Sequence, residues 1–211
     1  MENKKYTILL FAGASGTGKT TLVDQMVDDL IVDKAITCTT RKKRKGEIDG
    51  VHYHFISKEK MFEMYEGGDL VEPPNEHAGN YYACPISSLK SDRPVALIVD
   101  INGIKRINEA LKREDDIEVK NICIDAPEKS VLLKRWVDQG RSGEEIDSRL
   151  KVYENEKKWA SSYEFDKVLK IDKTLAREEQ ISSFIGEVMS FIPSKKNKVE
   201  SKVTNGIKRS K

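Results

Sequence analysis

Residues 13–20 read GASGTGKT, and this glycine-rich stretch constrains the fold more than any other part of the chain. It matches the pattern GxxxxGK[ST], which lies between a buried strand and a helix. An apolar run from Tyr6 to Ala12 precedes it, and apolar residues at helical spacing follow it. In that context the loop N–H groups and the helix N-terminus bind the phosphates of a nucleotide. The alternative, a flexible turn that binds nothing, is disfavoured by the flanking strand and helix.

The loop pattern also assigns chemistry to single positions. The amino group of Lys19 is expected to reach the outer phosphates, and the hydroxyl of Thr20 is expected to bind Mg²⁺. Glycine is needed where the backbone takes a positive φ or approaches an oxygen closely. The predicted nucleotide contacts are Gly13, Ala14, Ser15, Gly16, Thr17, Gly18, Lys19, Thr20 and Thr21.

Composition limits the class of protein. The 211 residues, 38% of them hydrophobic, can bury one sizeable core with a small inserted subdomain. Nothing approaches 18 consecutive apolar residues, so we expect no membrane span. The cysteines Cys38, Cys84 and Cys123 have no metal-binding spacing, and we recognise no export signal. We therefore expect a reduced protein of the cytoplasm.

Charge is distributed unevenly along the chain. Residues 194–211 hold six Lys and one Arg against one Glu, a net of +6, although the whole chain carries only +2. The remainder is therefore mildly acidic. This basic tail has no apolar periodicity, so we expect it to be disordered. It could contact nucleic acid nonspecifically, but a solvated end without a role is the simpler interpretation, and nothing else suggests a nucleic-acid partner.

Strands alternate with helices along the rest of the chain, which favours an α/β fold with a mostly parallel sheet flanked by helices. The strands expected after the first are 35–40, 51–55, 95–100, 119–124 and 168–171. A helix after Pro127 is expected to bury Val137 together with its other apolar residues. The stretch 37–86 breaks the rhythm and is interpreted as a small mixed α+β unit inserted between a helix and a strand.

A second anion site is predicted within that insert. Arg41 and Arg44 lie three residues apart in a segment without an apolar face, so both are free to converge on an anion. Arginine matches phosphate oxygens with two parallel hydrogen bonds, and Tyr53 and Tyr82 can add hydroxyl donors. The alternative is that this basic run is merely solvated.

Several separated segments resemble one known family. Residues 39–55 read TTRKKRKGEIDGVHYHF and resemble the TTRxPRxGExDGxDYxF signature of guanylate kinases. The phosphate loop, GNYY at 79–82, VDINGIK at 99–105 and QGRSGEE at 139–145 agree with that family in order and spacing. The resemblance covers about residues 6–190 and implies a P-loop kinase fold.

The resemblance also implies a domain organisation and a reaction. It implies one domain, 1–193, with its core in 1–36 and 87–193, an inserted nucleoside-monophosphate-binding subdomain in 37–86 and a mobile lid at about 139–147. Its reaction is transfer of the γ-phosphoryl group of ATP, with Mg²⁺, to GMP, giving ADP and GDP. We expect small nucleotides as partners of a monomer or homodimer, and use of dGMP is left open.

Site residues can be carried over by position. The matches to GMP-binding residues of the family are Thr37, Arg41, Arg44, Tyr53, Glu72, Tyr82, Cys84 and Asp100. Glu72 matches the glutamate that reads guanine, whose two adjacent N–H donors one carboxylate can accept together. Asp100 is expected near the acceptor and the metal. The residues expected to act in catalysis are Lys19, Arg41, Arg141 and Arg149, with Arg135 as a further contact to ATP.

Three departures from the family pattern surround the acceptor pocket. Cys84 stands where Ser or Thr is usual, Ile98 replaces an aspartate, and Lys43 replaces a proline. They leave open a related kinase that acts on another phosphorylated acceptor. The alternative from a different class is a noncatalytic module that binds phosphopeptides, which the intact phosphate loop disfavours.

Overall fold

A parallel sheet forms the centre of the computed structural model, which describes residues 5–77, 79–172 and 174–192. The strands are, in chain order, β1 (Tyr6–Ala12), β2 (Asp33–Lys34), β3 (Cys38–Thr39), β4 (His54–Phe55), β5 (Asn75–His77), β6 (Asn80–Ala83), β7 (Val95–Ile98), β8 (Ile117–Ile124) and β9 (Lys167–Leu169). The helices are α1 (Lys19–Asp28), α2 (Lys58–Glu66), α3 (Ile101–Leu111), α4 (Lys129–Asp138), α5 (Gly143–Ala160) and α6 (Arg177–Phe191).

The core sheet has the strand order β2-β7-β1-β8-β9, and all of its pairings are parallel. Its central strand β1 is buried on both faces, as expected for a parallel strand covered by helices. Ile8 and Leu10 pack towards Ile104 of α3, whereas Leu9 and Phe11 pack on the opposite face, against α1 and α6. The predicted α/β fold with flanking helices is confirmed.

A second, mixed sheet has the order β4-β3-β6-β5. Strands β3 and β4 pair in parallel, whereas β6 pairs antiparallel with both β3 and β5. Helix α2 packs on this sheet through Met61, which is fully buried with Cys38 and Ala83. Ser57 caps α2 by accepting a hydrogen bond from the backbone N–H of Lys60. All these elements lie within the stretch predicted as an insert.

Two predicted strands are wrong. The run 35–40 does not form one strand, because the chain leaves the core sheet after β2 and enters the second sheet at β3. In the run 51–55, the first two residues form a turn, Tyr53 makes an isolated bridge to Asp49, and only His54 and Phe55 form a strand. There, Ile48 N–H donates to Nδ1 of His52 over 3.0 Å, and Phe55 N–H donates to Oδ1 of Asp49 over 2.8 Å. Such local side-chain bonds compete with strand pairing.

Helix α4 buries a narrower stripe than the sequence predicted. Leu132 and Trp136, one turn apart, are its fully buried residues. Val137 is 61% exposed, so the prediction that it faces the core is wrong. It follows Trp136 directly, and successive residues of a helix point about 100° apart.

A short joint, residues 139–142, connects α4 to α5 at the stretch predicted as a lid. Ser142 caps α5 in a reciprocal arrangement with Glu145, so the helix begins immediately after the joint. The basic tail lies outside the described residues. In the described part of the chain, no helix has the length and apolar composition needed to cross a membrane.

Candidate active site

The phosphate loop connects β1 to α1, and close contacts require glycine at two of its positions. At Gly13, φ is +137°, and a Cβ would lie 2.4 Å from the carbonyl oxygen of Ile124 at the end of β8. At Gly16, φ is +87°, and a Cβ would lie 2.9 Å from Nε1 of the buried Trp136 side chain. Any side chain would strain the backbone and displace these neighbours. The loop is therefore pressed between β8 and α4.

Lys19, the first residue of α1, folds back over the loop. Its Nζ donates to the carbonyl oxygen of Gly13 and, over 3.0 Å, to that of Ala14. Burial lowers the pKa of Lys19, and the nearby carboxylate of Glu156 opposes this change. The amino group therefore lies against carbonyl oxygens of the same loop whose N–H groups the pattern assigns to phosphate.

Glu156 of α5 is a site residue that the sequence did not reveal. The backbone N–H of Ser15 donates to its Oε2 over 2.9 Å. Burial raises the pKa of Glu156, while Lys19 and this hydrogen bond oppose the rise. A carboxylate thus accepts from a loop N–H that a phosphate is expected to use. The available signal was its spacing of seven residues from Arg149, since residues seven apart share a helix face.

Two of the predicted arginines contact the loop. Nη1 of Arg149 donates to Oγ of Ser15, and Nη1 of Arg135 donates to the carbonyl oxygen of Gly16 over 3.2 Å. Both side chains line a cleft of about 1220 Å³ that contains Lys19 and the other residues of the loop from Ser15 onward. Positive charge is therefore brought from α4 and α5 to the rim of the phosphate site.

Arg141 lines the same cleft but makes a different contact. Its Nε donates to Oε1 of Gln139 over 3.0 Å, within the joint between α4 and α5. Burial lowers the pKa of Arg149, and the charge of Arg141 adds to this effect. The two guanidinium groups therefore lie near one another at the rim of the cleft.

The three predicted threonines of the loop have different surroundings. Oγ1 of Thr17 is buried and donates to the carbonyl oxygen of Ala14 over 3.0 Å. Oγ1 of Thr21 accepts from Nη2 of Arg177 over 3.3 Å. Thr20 is exposed and lines the cleft. Of the three, Thr20 is best placed to offer its hydroxyl to a metal.

The second predicted anion site gathers around Arg41. Its Nη1 and Nη2 donate to the carboxylate of Glu47 over 3.0 and 2.7 Å, and its guanidinium lies 5.6 Å from the ring centre of Tyr53. The ring centres of Tyr53 and Tyr82 are 6.2 Å apart. The hydrogen bonds from Arg41 and from the backbone N–H of Arg44 lower the pKa of Glu47 to about 2. The side chains of Arg41, Tyr53 and Tyr82 thus form one small cluster. Arg44 is joined to it through its backbone N–H, which donates to Glu47, and its side chain is exposed.

The predicted base-reading residue, Glu72, is 8% exposed and pairs with a residue that the sequence did not reveal. Nε of Arg106, on α3, donates to its Oε2 over 2.6 Å. Cys84 is buried nearby, and its Sγ donates to the carbonyl oxygen of Pro85 over 3.7 Å. Burial raises the pKa of this thiol to about 12. Thr37 is half-buried and directs its carbonyl oxygen to the N–H of His54, at 2.8 Å.

Asp100 connects the two sites. It follows β7 and caps α3, because its Oδ1 accepts from the backbone N–H of Gly103 over 2.6 Å. Its charge adds to the burial that raises the pKa of Glu72 on the acceptor side and of Glu156 on the donor side. The carboxylate therefore lies within electrostatic reach of both sites, at the carboxyl edge of the sheet where ligands of α/β proteins bind.

Comparison with known proteins gives one consistent family. The guanylate kinase family model matches residues 4–187. The chain is 32% identical over 201 residues to a guanylate kinase of Clostridioides difficile (strain 630), with 93% of this chain and 91% of that protein covered. It is 34% identical over 170 residues to a guanylate kinase of Malacoplasma penetrans (strain HF-2), with 78% and 85% covered.

A solved structure is similar in fold. The crystal structure of guanylate kinase from Anaplasma phagocytophilum superposes with a TM-score of 0.64 over 91% of this chain and 89% of that chain. The two sequences are 22% identical over this alignment. The arrangement of the core sheet and its helices is therefore shared with that protein.

Proposed function

The chain belongs to the guanylate kinase family and is an ATP:GMP phosphotransferase, and we propose that the reaction takes place between its phosphate loop and its second sheet. The observation that carries this placement is the position of Asp100 between the two sites. It follows β7, the neighbour of the strand that leads into the phosphate loop, and it caps α3, whose Arg106 pairs with Glu72. Donor and acceptor phosphates must approach within a few ångströms for transfer. A residue shared by the two walls supports such an approach.

On the donor side, ATP competes for groups that the protein satisfies internally. The Ser15 N–H leaves the Glu156 carboxylate for a phosphate oxygen, and Nζ of Lys19 leaves the carbonyl oxygens of Gly13 and Ala14. Lys19 then stabilises charge on the oxygens of the transferred group. The attacking group is a phosphate oxygen of GMP, already ionised near neutral pH, so positioning and charge stabilisation suffice without a catalytic base.

Arginines complete the donor site. Arg135 and Arg149 already reach the loop, and Arg141 enters from the joint between α4 and α5. Their fixed charges neutralise the phosphates where water is excluded, and electrostatic stabilisation is strongest there.

Two of the predicted residues also fit Mg²⁺. Thr20 offers an exposed hydroxyl in the cleft, and Asp100, which follows β7 and does not line the cleft, offers the carboxylate oxygen that does not cap α3. Oxygen ligands of this kind, together with phosphate oxygens, are those that Mg²⁺ prefers. When bound, the ion neutralises charge on the ATP phosphates.

On the acceptor side, Arg41, Arg44, Tyr53 and Tyr82 hold the phosphate of GMP. Glu47 ties Arg41 to the backbone of Arg44, which keeps the two arginines in one place before the ligand arrives. Glu72 accepts from the ring N–H and the amino group of guanine. The three buried free cysteines suit a reducing compartment, so we place the reaction in the cytoplasm.

Closure of the cleft protects ATP from hydrolysis. We expect residues 37–86 and 139–147 to move relative to the core when both nucleotides bind. The distance between spin labels at Lys60, on α2, and at Lys112, directly after α3, should shorten on addition of GMP and a nonhydrolysable ATP analogue. Both side chains are exposed, so labelling does not disturb packing. An unchanged distance distribution would contradict closure by the insert.

The activity is tested by ADP release from Mg-ATP with GMP, dGMP, AMP, CMP, UMP and sugar phosphates in turn. GMP is expected to give the strongest response. ADP release that no acceptor stimulates, or that a sugar phosphate stimulates more than GMP does, would contradict the proposed function.

A further inference from the structure

The carboxylate of Glu72 is held by one cation that lies outside every motif of the sequence. The described contacts of Glu72 place Nε of Arg106 at 2.6 Å from its Oε2, with the two side chains 35% and 9% exposed for Arg106 and Glu72 respectively. The pair joins the stretch before β5 to the middle of α3, across 34 residues of sequence. Charge-assisted hydrogen bonds of this length are among the stronger ones in proteins.

The other groups near Glu72 cannot take over this role. Cys84 is buried, and its weakly donating thiol is directed to the carbonyl oxygen of Pro85. Asp100 is a second carboxylate and raises the pKa of Glu72, in the same direction as burial. Arg106 is the group that opposes both effects. The thiol of Cys84 thus occupies the position where the family commonly has a hydroxyl, and the described hydrogen bond to the carboxylate of Glu72 comes from Arg106.

The rest of the Arg106 guanidinium remains able to donate. Arginine carries five N–H donors, and among the described residues its side chain bonds to Glu72 alone, through Nε. Guanine presents a carbonyl oxygen next to the ring N–H that a carboxylate reads. A guanidinium fixed to that carboxylate is therefore suited to bond the neighbouring carbonyl.

We propose that Arg106 is a specificity-determining residue of the acceptor site, which orients the Glu72 carboxylate towards the N–H donors of guanine and itself donates to the guanine carbonyl oxygen. This inference rests on the proposed function, because it deepens the recognition of GMP at the same site. Together the two side chains complement the edge of guanine, because the carboxylate accepts from its N–H groups and the guanidinium donates to its carbonyl oxygen. Adenine has an amino group in place of that carbonyl, so it presents a donor where the guanidinium requires an acceptor.

The test compares Arg106→Met with Lys112→Gln, which removes one positive charge from the exposed end of the same helix. Arg106→Met is expected to raise KM for GMP by roughly 10- to 100-fold, the usual effect of losing a charge-assisted hydrogen bond. KM for ATP and kcat at saturating GMP should change less than threefold, and Lys112→Gln should match the wild type. A KM for GMP within threefold of the control, or a parallel rise of both KM values, would overturn the proposal.

A pH series separates this role from a merely structural one. Without Arg106, burial and the charge of Asp100 raise the pKa of Glu72 unopposed. A smaller fraction of this carboxyl group is therefore ionised at low pH than in the wild type. The phosphate of GMP itself titrates at about pH 6, which affects KM for the wild type and the variant alike. The quantity to compare is therefore the ratio of the variant KM to the wild-type KM at each pH. This ratio should increase as the pH is lowered, because the pKa of Glu72 is higher without Arg106. A ratio independent of pH would contradict the proposed action on Glu72.

Two further variants keep the outcome decisive. In the double variant Glu72→Gln with Arg106→Met, KM for GMP should exceed that of Glu72→Gln by a smaller factor than Arg106→Met causes in the wild type, because only the bond to the guanine carbonyl is then lost. Fully additive losses would show that the two side chains act independently. If Arg106→Met does not fold, Arg106→Gln carries the same comparison, since it retains a donor but no charge. Wild-type turnover of GMP with unaffected Arg106 variants would refute this inference alone, whereas a wild type inactive towards GMP would refute the proposed function.

Discussion

Adding one methyl group to the phosphate loop tests whether the loop is as tightly enclosed as its contacts indicate. In Gly13→Ala, the new Cβ would lie 2.4 Å from the carbonyl oxygen of Ile124. Ordinary contact begins at 3.4 Å, and both partners belong to backbone, one in the loop and one at the end of β8. Neither can rotate away as a flexible side chain could. The loop or the strand end must shift by about 1 Å, which a close-packed interior resists.

The magnitude follows from two contributions. A side chain at φ +137° costs about 1–3 kcal/mol of backbone strain. Overpacking against β8 costs about 1–3 kcal/mol more. For a chain of this length, each kcal/mol moves Tm by about 2–4 °C. We therefore expect Tm to fall by about 4–24 °C.

A matched control is available in the same chain. Gly186 lies on the exposed side of α6, has no atom within 4 Å of a Cβ and keeps an ordinary φ. Because alanine favours helix more than glycine does, Gly186→Ala should stabilise the protein by about 1 kcal/mol. The same substitution therefore has opposite signs at the two positions.

Thermal unfolding followed by circular dichroism measures both variants, and calorimetry measures ATP binding below the transition. Gly13→Ala should unfold earlier and bind ATP weakly, while Gly186→Ala should unfold later and bind ATP as the wild type does. A Gly13→Ala variant with unchanged Tm would refute the enclosure of the loop by β8.

Three other predictions concern charged groups. Lys19→Met should lose turnover by orders of magnitude at an unchanged Tm, and near-normal ADP release from the purified variant would contradict its role. Glu156→Gln should bind ATP several-fold more tightly in calorimetry, because a neutral amide competes less well than a carboxylate for the Ser15 N–H. Weaker binding would show that the carboxylate assists Lys19 instead of competing with phosphate. Folding lowers the pKa of Glu47 from 4.5 to about 2, so the stability it contributes is present above pH 4.5 and is lost as pH falls towards 2. Urea midpoints of the wild type and of Glu47→Gln should therefore converge over that range, and a constant difference would exclude the pair with Arg41 as its source.

The parts of the fold that local sequence determines were predicted. The strand, loop and helix from Tyr6 to Asp28 follow one another without interruption, so periodicity and the glycine pattern suffice to define them. The phosphate-loop pattern and the pair Arg41 and Arg44 could be recognised in the sequence for the same reason, since each lies within a short segment. The positions of their side chains in the site remain predictions until a ligand tests them.

The failures have a common physical origin in contacts between distant segments. The run 35–40 has a uniform strand composition, but the chain changes sheets within it, and only the three-dimensional arrangement decides where. Glu156 contacts Ser15 across 141 residues, and Arg106 contacts Glu72 across 34. Neither glutamate nor arginine is unusual on a helix surface, and apart from the seven-residue spacing between Arg149 and Glu156, no local pattern distinguishes these two from solvated neighbours.

Helix α5 links the joint to the phosphate loop. The helix begins next to the joint, and Arg149, Tyr153 and Glu156 follow on the face that meets Ser15 and the protein interior. A single residue inserted between Arg149 and Glu156 would rotate the second against the first by about 100°. Both residues would still be present, but they could no longer contact the phosphate loop at the same time. The number of residues between them is therefore as important to the enzyme as their identity.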